Sequence, residues 1–188
     1  DKDIGSCCSL TSDESRIESI YPSNPVIKPI VVVFNHDRTG LEEERINRIN
    51  RLLTRTKALY DPKMYPFLKS VVFPEGFYLV FDCPEDAWAF TSGYSSTHED
   101  DDQFSLVMHA GVLVNLKSSL TGVRDYYFRE VDEALAICRT LRSPAMLCTM
   151  QARVLSGAKA KDEKRFRYQG MFELDDGGYL HLFIFEMR

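Results

Sequence analysis

Three constellations in this 188-residue chain combine residue types that do chemistry. Arg45, Arg48, Arg51 and Arg55 recur every three or four residues, so on a helix they form one basic stripe. Such a stripe is either a solvated helix face or a contact for phosphate or nucleic acid, and solvation is the usual role of a charge run. His98-Glu99-Asp100-Asp101-Asp102 gathers donors for a hard cation, yet lacks the glycine-spaced pattern of a calcium loop and reads first as a polar solvated loop. Cys7, Cys8, Cys83, Cys138 and Cys148 show no metal-ligand spacing. Five thiols, an odd number, fit reduced cysteines and predict a cytoplasmic location, although Cys7-Cys8 also admits oxidation or lipidation. No nucleophilic triad, P-loop or zinc motif competes with these features.

Composition narrows the class without naming a function. A hydrophobic fraction of 44% with 27% charged residues is that of an ordinary globular domain. The net charge of −5 disfavours nucleic acid and anionic membrane as partners. No apolar run approaches the ~18 residues that a membrane-spanning helix needs. Residues 1–25 are polar and predict a flexible N-terminal arm, leaving 26–188 as one folded unit.

The elements that must position any chemistry follow from periodicity. Ile30-Val31-Val32-Val33-Phe34 is a continuous apolar run, the mark of a strand buried on both faces. Ile46, Ile49 and Leu53 place an apolar face on a helix from Leu41 to about Leu59. Phe67 to Val72 and Phe77 to Phe81 are strands joined by the turn Pro74-Glu75-Gly76. Asp82 and Glu85, three apart around Pro84, predict a capping-box start for a helix packed through Ala87, Trp88 and Phe90. Alternation then predicts a strand from Phe104 through Val114, in which His109 is a satisfied core histidine. Phe128, Val131, Leu135, Cys138 and Leu141 mark a helix that ends at Ser143-Pro144. A short strand from Ala145 to Thr149 and a hairpin of Phe166–Leu174 with Tyr179–Phe185 complete the chain. The order predicts an α/β (α+β sandwich) fold with a ferredoxin-like βαββαβ core, extended by a further αβ unit and a C-terminal hairpin.

Four segments in register resemble the class III nucleotidyl cyclase homology domain, over roughly residues 28–185. Val33-Phe34-Asn35-His36-Asp37-Arg38-Thr39-Gly40 is similar to the strand and turn F-x-D-I-x-G-F. Lys69 through Phe81, followed by Pro84-Glu85-Asp86-Ala87, resembles K-x-x-G-D-x-x-x-x-x-F and its trailing helix. Leu106 through Val114 is similar to I-G-I-H-x-G-x-V, and Asp125 through Ala134 to D-Y-x-G-x-x-V-N-x-A-A-R.

The resemblance implies attack of a ribose 3′-hydroxyl on the α-phosphate of a nucleoside triphosphate, assisted by Mg²⁺ or Mn²⁺. It also implies a homodimer, or a heterodimer with another cyclase-like chain. The first metal carboxylate corresponds to Asp37, or to His36 under strict spacing, and Gly40 to the phosphate-turn glycine. Glu75 stands at the second metal carboxylate. Asp132 replaces the ribose-orienting Asn and Ala136 the transition-state Arg, with Arg129 and Arg139 nearby as substitutes. Asp125 and Lys69 correspond to the base-reading pair, Lys69 two residues early. With so many working positions altered together, the expectation is a domain weak or inactive as a homodimer, acting as a dimerising nucleotide-binding regulatory module in cyclic-nucleotide signalling. The alternative is an active cyclase, alone or as the metal-bearing half of a heterodimer.

Overall fold

The computed structural model describes residues 25–59, 67–97, 103–117, 122, 124–143, 145–157 and 165–185. The polar arm, the Cys7-Cys8 pair and the His98–Asp102 cluster lie outside the described residues. Nine strands and four helices are seen among the described residues: β1 (Ile27–Asn35), α1 (Glu42–Leu59), β2 (Phe67–Phe73), β3 (Gly76–Phe81), α2 (Pro84–Thr97), β4 (Phe104–Val112), β5 (Val114–Lys117), β6 (Arg124–Tyr127), α3 (Glu130–Thr140), β7 (Met146–Thr149), α4 (Met150–Leu155), β8 (Phe166–Glu173) and β9 (Tyr179–Phe185).

Seven strands form one sheet in the order β2-β3-β1-β4-β7-β9-β8. Its first four strands, with α1 and α2, are the predicted βαββαβ unit, all pairs antiparallel. β7 joins β4 in parallel, which demands a crossover, and α3 supplies it. The predicted hairpin closes the far edge as β8–β9.

Two cores flank the sheet because β1 is apolar on both faces. Val31 and Val33 face Ile49 and Leu53 of α1 and Ala87, Phe90 and Tyr94 of α2. Ile30, Val32 and Phe34 share the opposite core with Val131, Ala134, Leu135 and Cys138 of α3. Trp88 belongs to the packing, its ring 5.0 Å from that of Phe185 and its indole N–H donated to Ser156 Oγ. The β2–β3 turn lies so close to β1 that a Cβ on Gly76 would sit 2.0 Å from the Val33 carbonyl oxygen.

Three local readings change. The strand predicted through Val114 ends at Val112, and a separate two-stranded ribbon, β5–β6, follows. α4 is short, capped by Thr149, and gave too little periodicity to be read. The capping box at Asp82 does not form. Lys28 Nζ takes Asp82 Oδ1 at 2.6 Å, so Asp82 ties β1 to the start of α2 instead of satisfying helix amides. Asp86 meets Cys83 Sγ at 3.0 Å in its place.

Candidate functional site

Two clusters gather the predicted residues. The first lies where β1 runs into α1. β1 ends at Asn35, two residues before Asp37, so strand alternation no longer dictates which way Asp37 points. Asp37 folds back as an Asx turn: its amide donates to Asn35 Oδ1 at 2.8 Å, and its own Oδ1 accepts the Thr39 amide at 2.8 Å. Its Oδ2 accepts Arg48 Nη1 at 2.9 Å, and Arg48 Nη2 also donates to the Thr39 carbonyl. Hydrogen bonding to Thr39, and then Arg48, hold the Asp37 carboxyl below the usual carboxylate range. Gly40 turns the chain at φ +86°, and Glu44 reaches back to the Leu41 amide at 2.9 Å, capping α1.

His36 points elsewhere. Its Nε2 lies 2.7 Å from Ser105 Oγ, and its ring packs edge-on against Phe34. Burial, then the Arg142 and Arg38 guanidinium groups, depress its pKa, so the ring is neutral at pH 7. Glu75, in the β2–β3 turn, is half-buried, and its carboxylate joins no ion pair among the described residues. Its carbonyl accepts the Asn35 amide at 2.6 Å, which fastens the turn to β1.

A divalent cation fits this cluster poorly. Both Asp37 oxygens are engaged, His36 is turned to Ser105, and Glu75 stands as a single carboxylate. No group of three ligating side chains exists among the described residues.

The second cluster lies on the α3 side of the sheet. Lys69 of β2 donates to Asp125 Oδ1 at 2.9 Å, to Oδ2 at 3.0 Å and to the Tyr126 carbonyl at 2.7 Å. Lys69 stands two residues early in the sequence, but from Lys69 to Phe73 β2 pairs regularly with β3, so strand alternation keeps it on the same face as Val71 and its amine reaches β6. Lys69, with Tyr126 bonding, holds the Asp125 carboxyl below its ordinary value. Tyr78, which sequence reasoning missed, joins them: burial raises its phenol pKa, and the Asp125 and Asp132 carboxylates push the same way. Its place on β3 carried no chemical signal in the sequence. Asp132, exposed in the first turn of α3, acts on the same phenol through its charge and makes no hydrogen bond to Lys69 or Asp125 among the described residues. Arg129 is not brought in; it bonds Asp176 Oδ2 in the β8–β9 turn at 3.2 Å.

His109 is buried and satisfied, with Nδ1 2.8 Å from Thr149 Oγ1 and Nε2 3.1 Å from Glu133 Oε2.

A ferredoxin-like sheet extended by a parallel strand, a two-stranded ribbon and a terminal hairpin is the fold of adenylate and guanylate cyclase catalytic domains. The chain superposes on a Trypanosoma brucei adenylate cyclase in its monomeric state with TM-score 0.60 at 13% identity, covering 87% of this chain and 91% of that one. The guanylate cyclase domain from Catenaria anguillulae in complex with GTP gives TM-score 0.58 at 10% identity, over 86% and 97%. A dimeric guanylyl cyclase domain from Blastocladiella emersonii gives 0.53 at 10%, over 85% and 95%. No family model matches the sequence, and no curated protein matches it. No helix among the described residues is long and apolar enough to cross a membrane.

Proposed function

We propose that this domain is a nucleotide-binding, dimerising regulatory module of cyclic-nucleotide signalling, located in the cytoplasm, that cyclises poorly or not at all as a homodimer. One observation carries the reading: the carboxylate at the metal position, Asp37, is closed by Arg48 and the Thr39 amide, whereas Lys69 and Asp125 are already joined. Lys69 and Asp125 would meet the base of a nucleoside triphosphate by exchanging their mutual bonds for bonds to its edge. Asp132 would repel a polyphosphate at the position where an Asn would hydrogen-bond it, and loss of an Arg at Ala136 removes charge stabilisation worth orders of magnitude in rate.

A second reading is favoured by Glu75, which holds no counter-ion among the described residues in the turn beside β1. Were Asp37 to exchange Arg48 for Mg²⁺ or Mn²⁺ when nucleotide arrives, the pair would ligate metal, and a partner chain would supply the ribose and transition-state groups. His36 plays no part in either reading, being turned to Ser105.

Incubation with each of the four common nucleoside triphosphates and Mg²⁺ or Mn²⁺, read by mass spectrometry and by titration calorimetry, separates the two. We expect saturable binding, weakened at least about tenfold by Lys69→Met, with no cyclic product. A cyclic nucleotide whose formation stops in Asp37→Ala and Glu75→Ala would overturn the regulatory reading.

A further inference from the structure

We infer that the cleft beside the β1–α1 turn binds a phosphate-bearing anion without a divalent cation, with the guanidinium groups of Arg48 and Arg51 supplying the positive charge. The inference deepens the nucleotide-binding reading of the same site.

The cleft, ≈ 450 Å³, is lined by Thr39, Gly40, Glu44, Asn47, Arg48 and Arg51. Through Asn47 and Arg51 it continues into a second of ≈ 680 Å³ that adds Arg55. Arg48 already stands 2.9 Å from Asp37 Oδ2, where a metal ion would have to displace it. Its terminal nitrogens bond Asp37 and the Thr39 carbonyl, yet each carries a second hydrogen, and the side chain is 36% exposed. Arg51 bonds, among the described residues, through Nε alone, to the Asn47 carbonyl at 3.3 Å, leaving its outer edge for a ligand. Among the described residues Arg48 is the one stripe arginine with a carboxylate partner; Arg45, Arg51 and Arg55 have none.

Charge makes that arrangement costly without an anion. Arg45/Arg48 and Arg48/Arg51 are three apart, and Arg51/Arg55 four apart, so like charges are neighbours along the helix and repel. The acids of α1 are confined to Glu42, Glu43 and Glu44 in its first turn. Glu44 lines the cleft, caps the Leu41 amide and keeps its charge, so it offsets Arg48 four residues on and leaves Arg51 and Arg55 as the like-charged neighbours without a nearby acid on α1. Arg48 and Arg51 lie on consecutive turns, close enough for both forks to reach one phosphate, and the Asn47 amide stands beside them as a further donor. Guanidinium matches phosphate oxygens in pairs, which a charge-matched cleft without metal needs.

Inorganic pyrophosphate is the probe, because it has no base for Lys69 and Asp125 to read. Titration calorimetry on the whole chain should show saturable binding that is undiminished when EDTA replaces Mg²⁺. Arg51→Gln should weaken it at least about tenfold, while Arg167→Gln, exposed on β8 at the far edge of the sheet, leaves it unchanged. Arg48→Gln, which frees Asp37, should make binding depend on Mg²⁺. Circular dichroism confirms that each variant is folded. Binding by the wild type only with Mg²⁺, no binding in either buffer, or unaltered affinity in Arg51→Gln overturns the inference. Lys69→Met separates the two readings: it should spare pyrophosphate and weaken triphosphate. Triphosphate binding without pyrophosphate binding sinks the cleft alone, and the converse sinks the base-reading pair.

Discussion

Replacing Thr149 by Ala tests how the domain holds α3 and α4 to the sheet. Thr149 is wholly buried, and its hydroxyl has two duties. It caps α4 by accepting the Ala152 amide at 3.3 Å, and it lies 2.8 Å from His109 Nδ1. With the Nε2 proton assigned toward Glu133, Nδ1 accepts from the Thr149 hydroxyl. Hydrogen bonds then join Glu133, His109, Thr149 and Ala152 end to end. Thr149→Ala removes the cap, about 1 kcal/mol, and strands a buried imidazole nitrogen, about 1–3 kcal/mol. The sum is about 2–4 kcal/mol, or roughly 4–16 °C in Tm for a chain of this length. Thr149→Ser keeps the oxygen and loses one methyl, about 1 kcal/mol. Urea unfolding measures both, with unchanged m required for the comparison. If the Ala variant is no less stable than the Ser variant, the hydroxyl bridge contributes nothing and the argument fails.

Gly76→Ala must push the β2–β3 turn off β1, since the added methyl would meet the Val33 carbonyl oxygen at 2.0 Å; we expect a loss of about 3 kcal/mol or more in denaturant unfolding. Asp37 and Asp125 both have depressed folded-state pKa values, so their contribution is complete above the ordinary carboxylate value and is lost as pH falls through the folded value. Stability measured below about pH 4 should therefore fall less steeply in Asp37→Asn than in the wild type, and least in the Asp37→Asn/Asp125→Asn double variant. An identical slope in all three would remove the linkage.

The fold was legible where hydrophobic pattern alone decides it. Five consecutive apolar residues in β1 can only be covered on both sides, and α1, α2 and α3 do so. Asp82 shows the limit of local reasoning. Its spacing from Glu85 is that of a capping box, but Lys28, fifty-four positions away, offers a full charge 2.6 Å distant and takes it. β5–β6 escaped because its residues pair with each other and carry little of the buried core, so their pattern is weak.

The site was legible as a set of residue types and illegible as a set of partners. Lys69 stood two positions early, an offset that keeps the strand face but leaves its partner unstated, and only the folded ribbon β5–β6 brings Asp125 to it. The arginine stripe was visible on α1, yet nothing in its spacing says that Arg48, eleven residues on, closes the Asx turn of Asp37. That pairing matters more than any identity at the motif. A carboxylate is a metal ligand only while its oxygens are free, and an arginine that reaches back from the second turn of the following helix competes for them. Under the proposed reading, activity would depend on which cation wins Asp37, a competition between guanidinium and metal that is measured as the magnesium dependence of anion binding.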